Sequence, residues 1–354
     1  MAVIDTTAKL AAFLPILGAA EWVAVDTEAD SLHAYPEKVC LIQIGTAFGD
    51  RLLDPLAGLD LAPVLAALSG HELIMHGADY DLRLLCKHHE FVPSAIFDTM
   101  LAARLAGHLQ FGLSHLVEKC LGAKLEKGPQ KANWAMRPLT ERMERYARND
   151  THYLKPLADS LRRELEGLGR LAWHREACAR LIEDSTRECP PDPDLAWRLK
   201  GSHLLSRPAL GVLRELWGWR ETEAIAANKP PFFVISHDAL VNLSAAAAAE
   251  RPLDPLIPRH LSERRRSGLL GAIARGIAIP PERQPKIPRS KGRRPTDGER
   301  RRFAEFQRRR DDHAARLGID PTLIASRAML SSLASSWEEH ALELMNWQQV
   351  LLTS

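Results

Sequence analysis

Short apolar runs alternate with helical patterns over about the first 180 residues of the chain. Runs of apolar and β-branched residues predict four strands, at 22–26, 39–44, 51–53 and 73–76. Apolar positions at helical spacing predict helices at 61–68, 79–88 and 99–105. Because strands alternate with helices, we expect an α/β domain in which helices cover a sheet, with a core that closes within about the first 185 residues.

A long helix follows, which we expect to begin after the cap residue Thr140 and to run toward Glu166. Its apolar stripe includes Tyr146 and Leu157, with Asp150 between them at helical spacing. An aspartate within an apolar stripe must be paired, protonated or bound to a metal ion. A structural contact with Tyr146, one turn earlier, is the simpler alternative to a catalytic role.

Two proline-rich segments, 189–194 and 279–295, divide the rest of the chain. Between them the pattern predicts helices at 210–227 and 238–249 and one strand at 232–235. A final helical block begins near Thr296. We therefore predict a first domain over 1–188, a helical domain over 189–278, a basic proline-rich linker over 279–295 and a second helical domain over 296–354.

The composition is that of an ordinary folded protein, with 45% apolar and 26% charged residues among 354. No apolar run reaches the length of about 18 residues that a membrane-spanning helix needs. The apolar segment 10–20 could belong to a signal peptide, but Asp5 occupies the region that would have to be basic, which favours an amphipathic helix. The five cysteines are scattered without a CxxC pair, which argues against a disulfide framework or structural zinc and favours the cytoplasm.

Charge is distributed unevenly along the chain although the formal net charge is only +2. Residues 1–100 hold 14 acidic and five basic side chains, whereas residues 259–302 hold 14 basic and four acidic ones. An acidic N-terminal part joined to a basic C-terminal part suits a protein that binds cations at one end and polyanions at the other. The alternative is a solvated, arginine-rich linker with no ligand.

Three carboxylates stand where a strand or helix places them for metal binding. Asp26 and Glu28 lie two residues apart at the end of the first strand, so both project from the same face. Asp81 lies in the first turn of the helix that follows the fourth strand. Each could merely be a polar strand end or a helix-dipole partner. Together with Asp150 they form an oxygen-rich set that suits Mg²⁺ or Mn²⁺ rather than zinc.

The segments 25–30 (VDTEAD), 76–82 (HGADYDL) and 146–150 (YARND) resemble, in order, the three exonuclease motifs of the DEDD superfamily. The Tyr-x₃-Asp spacing is similar to that of the tyrosine subclass, and 134–142 (WAMRPLTER) resembles the stretch before the third motif in the ribonuclease D family. Further segments resemble the helical HRDC domain: 197–201, 213–220 and 228–231, with 317–327 similar to the second half of such a unit.

The resemblance implies a ribonuclease H-like exonuclease fold, with a mixed sheet and flanking helices, followed by all-α HRDC-type domains. It implies a 3′–5′ exoribonuclease that releases nucleoside 5′-monophosphates from RNA, such as transfer RNA precursors, using two divalent ions, Mg²⁺ or Mn²⁺. Asp26, Glu28 and Asp150 would hold the ion that carries the attacking water, and Asp26 would bridge to a second ion ligated by Asp81. Tyr146 would orient that water or help to deprotonate it.

Two alternatives remain open at this point. The same chemistry could act on single-stranded DNA, because no feature of the sequence indicates recognition of the 2′-hydroxyl of RNA. The chain could also be a non-catalytic nucleic-acid-binding adaptor, which the complete set of carboxylates disfavours. We expect no membrane association and no obligatory protein partner.

Overall fold

A computed structural model of the chain describes residues 3–126, 128–187, 195–286 and 294–353. Packing divides the described residues into two compact units. The first comprises 3–29, 39–187 and 294–353, and the second comprises 30–38 and 195–286. The predicted boundary at 189–194 lies outside the described residues, as does most of the basic linker, so the four predicted domain limits stay predictions.

The first unit is built on a five-stranded mixed sheet, which confirms the predicted fold class. The strands are β1 (Val23–Ala29), β2 (Val39–Thr46), β3 (Gly49–Leu53), β4 (Glu72–Met75) and β5 (Ala95–Asp98). Their order is β3-β2-β1-β4-β5; β2 is antiparallel to both its neighbours, and β4 is parallel to β1 and β5. The sequence pattern missed β5, which is only four residues long. The central position of β1 gives its residues support from strands on both sides.

Helices cover the sheet of the first unit. They are α1 (Thr7–Gly18), α2 (Ala62–Leu68), α3 (Asp79–His89), α4 (Thr99–Ala106), α5 (Leu113–Leu121), α6 (Glu141–His152), α7 (Leu154–Gly167) and α8 (Leu171–Thr186). The prediction of one helix from Thr140 toward Glu166 is wrong, because the chain turns at Tyr153, where α6 ends and α7 begins. The break leaves α6 packed on β1, β2 and β3 as an element of its own.

The second unit is helical. It contains α9 (Arg207–Ala227), α10 (Pro231–Val234), α11 (His237–Ala248) and α12 (Glu263–Ile277), which bury a core that includes Leu213, Leu240 and Leu269. The predicted strand at 232–235 is wrong, because two prolines start a short helix at this point and leave only Ile235 extended. The segment 30–38 joins this unit through the Tyr35 hydroxyl, which donates to Glu221 at 2.5 Å.

The end of the chain adds five more helices to the first unit: α13 (Asp297–Leu317), α14 (Pro321–Ile324), α15 (Arg327–Ser335), α16 (Trp337–His340) and α17 (Asn346–Thr353). Their buried side chains share one hydrophobic cluster with those of β1, β4, β5, α4, α5 and α7. Arg170 donates to the carbonyl oxygens of Leu105 and Leu317, each at 2.7 Å. Trp173 stacks on Trp347 with ring centroids 4.9 Å apart.

This shared cluster shows that the expectation of a core closed within about the first 185 residues is wrong. The α/β layer leaves apolar surface on α4, α7 and α8, and helices from the far end of the chain cover it. Among the described residues, no helix is both long enough and apolar enough to cross a membrane.

The Trp173–Trp347 stack generates a stability prediction. Trp347→Ala should lower the free energy of unfolding by about 3 kcal/mol, because it removes a buried aromatic ring and leaves a cavity beside the α/β layer. Urea denaturation followed by circular dichroism measures the change. Val350→Ala, on the exposed side of the same helix, is the matched control. Equal stability of the two variants would show that the terminal helices add nothing to this core.

Candidate active site

Strand alternation places two carboxylates side by side at the centre of the sheet. Asp26 and Glu28 lie on β1, opposite Gln43 and Leu41 of β2. The Gln43 side-chain amide donates to Asp26 Oδ2 at 3.2 Å. Because the central strand is held from both sides, the two acidic side chains are fixed by the backbone on one face.

The helix α6 brings a third carboxylate to this pair. The Thr140 hydroxyl accepts a hydrogen bond from the Met143 backbone N–H at 3.2 Å and so caps the start of α6, as predicted. One carboxylate oxygen from each of Asp26, Glu28 and Asp150 lies within 4.8 Å of the other two. Residues far apart in the sequence therefore converge.

A fourth carboxylate, Asp81, lies in the first turn of α3 and is buried. Its Oδ1 accepts a hydrogen bond from the Thr27 backbone N–H at 3.1 Å and a second from the Thr27 hydroxyl. Thr27 stands between Asp26 and Glu28, so the strand that carries these two carboxylates also orients Asp81. Sequence reasoning missed Thr27; a hydroxyl residue between two acidic ones was the available signal.

Burial and mutual repulsion make this group costly to ionise. Burial, followed by the charge of Asp150, raises the pKa of Glu28 to about 9. Burial raises the pKa of Asp150 to about 7, although its hydrogen bond with Tyr146 opposes the shift. Burial raises the pKa of Asp81 to about 6, against the hydrogen bonds from Thr27. Burial and the charges of the other three raise the pKa of Asp26 well above its usual range.

The donor set fits a hard divalent cation. All the converging ligand atoms are carboxylate oxygens, which Mg²⁺ and Mn²⁺ prefer and structural zinc sites do not. A cation also opposes the effects of burial and repulsion on these pKa values, because its charge favours the ionised form of every ligand.

Tyr146 lies one turn before Asp150 on α6, and its side chain reaches the same site. The Tyr146 ring packs against Trp134, which is fully buried, with ring centroids 6.1 Å apart. Tyr146 opposes the rise in the pKa of Asp150 that burial causes, and both side chains line the same cavity. Burial, followed by the Asp150 charge, raises the pKa of Tyr146, so the hydroxyl keeps its proton at neutral pH.

All five predicted site residues line one open cavity of about 1070 Å³. The same cavity is lined by two aromatic rings, Tyr80 and Phe111, and by Leu109, whose side chain is almost fully exposed. With cations bound to its carboxylates, a cavity that also has exposed apolar and aromatic side chains at its wall would suit a ligand that has both phosphate and bases.

Comparisons with known proteins agree with this arrangement. A family model described as a 3′–5′ exonuclease matches residues 1–166, and one described as an HRDC domain matches 209–250. The chain is 32% identical over 304 residues to a ribonuclease D of Gluconacetobacter diazotrophicus, covering 83% of this chain and 76% of that one. It is 30% identical over 356 residues to a ribonuclease D of Granulibacter bethesdensis, covering 98% and 89%.

Solved structures extend the likeness to the fold. Escherichia coli RNase D superposes with a TM-score of 0.75 at 24% identity, over 99% of this chain and 98% of that one. The catalytic core of RRP6 from Trypanosoma brucei superposes with a TM-score of 0.64 at 27% identity, over 77% of this chain and 78% of that one.

The raised pKa of Glu28 generates a pH prediction for the metal-free protein. The native state binds more protons than the unfolded chain from about pH 5, near the ordinary glutamate pKa, to about pH 9. The free energy of unfolding should therefore fall as the pH rises through this range. Glu28→Gln removes that dependence, so its stability advantage over the natural chain should grow from about pH 5 to about pH 9. Urea denaturation in EDTA measures it.

Glu166→Gln, an exposed substitution on α7, is the control for this experiment and should follow the natural chain at every pH. Parallel pH profiles for Glu28→Gln and the natural chain would contradict a buried carboxylate cluster.

Proposed function

The chain belongs to the ribonuclease D family of 3′–5′ exoribonucleases, and we propose that it trims RNA 3′ ends, such as those of transfer RNA precursors, to nucleoside 5′-monophosphates. The observation that carries the proposal is the convergence of Asp26, Glu28 and Asp150 within 4.8 Å, in a cavity that Tyr146 also lines. The cavity around them is open, so the end of a chain can enter it.

We propose two divalent cations, Mg²⁺ or Mn²⁺, as cofactors. Asp26, Glu28 and Asp150 would hold one ion, and Asp26 and Asp81 the other. When bound, such ions supply the charge that activates a water and stabilises the leaving oxygen. The residues of the chain fix where that charge sits: β1 positions Asp26 and Glu28, Thr27 orients Asp81, and α6 carries Asp150.

In this proposal, Tyr146 interacts with the attacking water rather than with the ions. A neutral Tyr146 hydroxyl would donate to ionised Asp150 and keep lone pairs on its oxygen that can accept a hydrogen bond from the attacking water. The raised pKa of Tyr146 favours the neutral hydroxyl, which supports orientation over full deprotonation as its main task.

We propose that the helical parts and the basic segment 259–302 bind the phosphates of the RNA backbone. Several arginines of this segment are engaged in ion pairs: Arg264 and Arg265 with Glu223, Arg266 with Asp254, and Arg275 with Glu215. Their positive charge is partly compensated, and part of the segment lies outside the described residues. Binding of RNA by this segment is thus a proposal that rests on its sequence composition.

A cytoplasmic location fits the cysteines, because all four within the described residues are free thiols: Cys40, Cys86, Cys120 and Cys178. We propose that the enzyme acts there on RNA without a membrane and without an obligatory protein partner.

The carboxylate assignment predicts that Asp26→Asn and Asp150→Asn each abolish hydrolysis while leaving the fold intact, since each removes a ligand and relieves repulsion. Release of nucleotides from a 3′-labelled RNA with Mg²⁺, Mn²⁺ or EDTA measures the effect. Asp79→Asn is the matched control, because Asp79 lies in the same motif as Asp81 but is exposed and paired with Arg83. A DNA strand of the same sequence tests the alternative substrate.

Near-normal, metal-dependent activity of either Asp26→Asn or Asp150→Asn would contradict the assignment. Cleavage of DNA in preference to RNA would favour the alternative substrate, and inactivity of the natural chain on both would favour a nucleic-acid-binding adaptor.

Tyr146→Phe should lower kcat by roughly 10²–10⁴, the usual contribution of a group that positions or transfers a proton. The affinity for Mn²⁺, measured by calorimetry, should hardly change, because the hydroxyl interacts with the water and not with the ion. A parallel loss of Mn²⁺ affinity would show that Tyr146 supports the ligands instead.

A further inference from the structure

We propose that Gly128 and Gln130, on the segment between α5 and α6, are positioning residues that hold Tyr146 in its working orientation. The inference rests on the proposed role of Tyr146 and adds to it the two residues that determine where its ring and its hydroxyl point. Both residues line the cavity that contains the carboxylates.

Gly128 lies so close to the Tyr146 ring that no side chain fits. A Cβ atom at this position would stand 1.5 Å from Tyr146 Cδ2 and 2.3 Å from both Cγ and Cε2. The glycine is therefore required by close approach and not by a turn, since its φ lies outside the left-handed region. Any larger residue must displace either the segment or the ring.

The ring has little freedom to yield. Tyr146 packs against Trp134, whose side chain is fully buried, and against the small core that includes Leu41 and Met143. A ring displaced by a side chain at position 128 would have to move its hydroxyl away from Asp150. Because this region is closely packed, a methyl group at position 128 would displace the Tyr146 hydroxyl, and glycine at this position keeps the hydroxyl in place.

Gln130 acts on the other end of the same side chain. Gln130, Tyr146 and Asp150 line the same cavity, and the Gln130 side chain opposes the rise in the pKa of the Tyr146 hydroxyl that burial causes. We infer that the Tyr146 hydroxyl donates to ionised Asp150, which can only accept, and that the Gln130 amide N–H donates to the hydroxyl oxygen. With its hydrogen directed to Asp150 and one lone pair engaged by Gln130, the hydroxyl has a single remaining direction for a water. Gln130 therefore fixes the rotation of the hydroxyl.

A double-mutant cycle tests whether Gln130 acts through Tyr146. Gln130→Ala should lower kcat by about tenfold with little change in KM, because the hydroxyl loses its fixed direction. In the Tyr146→Phe background the same substitution should have no further effect, since the hydroxyl on which it acts is gone. An independent role in binding RNA would instead change KM in both backgrounds.

A second cycle tests Gly128. Gly128→Ala should lower kcat by about tenfold or more in the natural chain but have no effect in the Tyr146→Ala background, where the ring that it strikes is absent. The absence of a further loss of activity in that background would also exclude misfolding of the segment as the cause. Gly167→Ala is the control, because a Cβ there meets nothing within 4 Å.

Equal fold-changes in the single and double backgrounds would overturn this inference while leaving the role of Tyr146 intact. Full activity of Tyr146→Phe would instead overturn the proposed role of Tyr146, and the inference with it.

Discussion

Repulsion among buried carboxylates is the constraint on which the rest of this structure depends. Asp26, Glu28, Asp81 and Asp150 are held close together in a partly desolvated cavity, where burial raises all four pKa values and neighbouring carboxylates of the group raise those of Asp26, Glu28 and Asp150 further. Such an arrangement persists only if the scaffold prevents the side chains from turning away. The protein therefore supplies rigidity, and a cation supplies the compensating charge when it binds.

The rigidity comes from the way the elements around the site pack together. A central strand fixes Asp26 and Glu28, and the break at Tyr153 makes α6 a separate helix that can cross three strands. Helices from the end of the chain cover the apolar surface of the α/β layer, so the sheet that carries the carboxylates is packed on a core completed by α13–α17. Distant residues thus stabilise the platform of the site.

Periodicity was sufficient to predict which carboxylates share a face, because strand and helix repeats act over a few residues. It placed Asp26 beside Glu28, and Asp150 one turn from Tyr146, and the fold class followed from the order of elements. It could not predict contacts across long separations, such as Thr27 with Asp81 or Gly128 with Tyr146. The wrong predictions have the same origin, since the closure of the core and the break at Tyr153 depend on tertiary packing.

The second motif places two aspartates in the same helical turn, and only one of them is a prospective metal ligand. Asp79 and Asp81 both lie in the first turn of α3, where either could interact with the helix dipole. Asp79 is exposed and forms an i,i+4 pair with Arg83, so its charge is already compensated. Asp81, two residues later, is turned into the buried side, where Thr27 holds one oxygen and leaves the other available. Burial and a hydrogen-bonded orientation, rather than acidity, distinguish a prospective metal ligand from a surface aspartate.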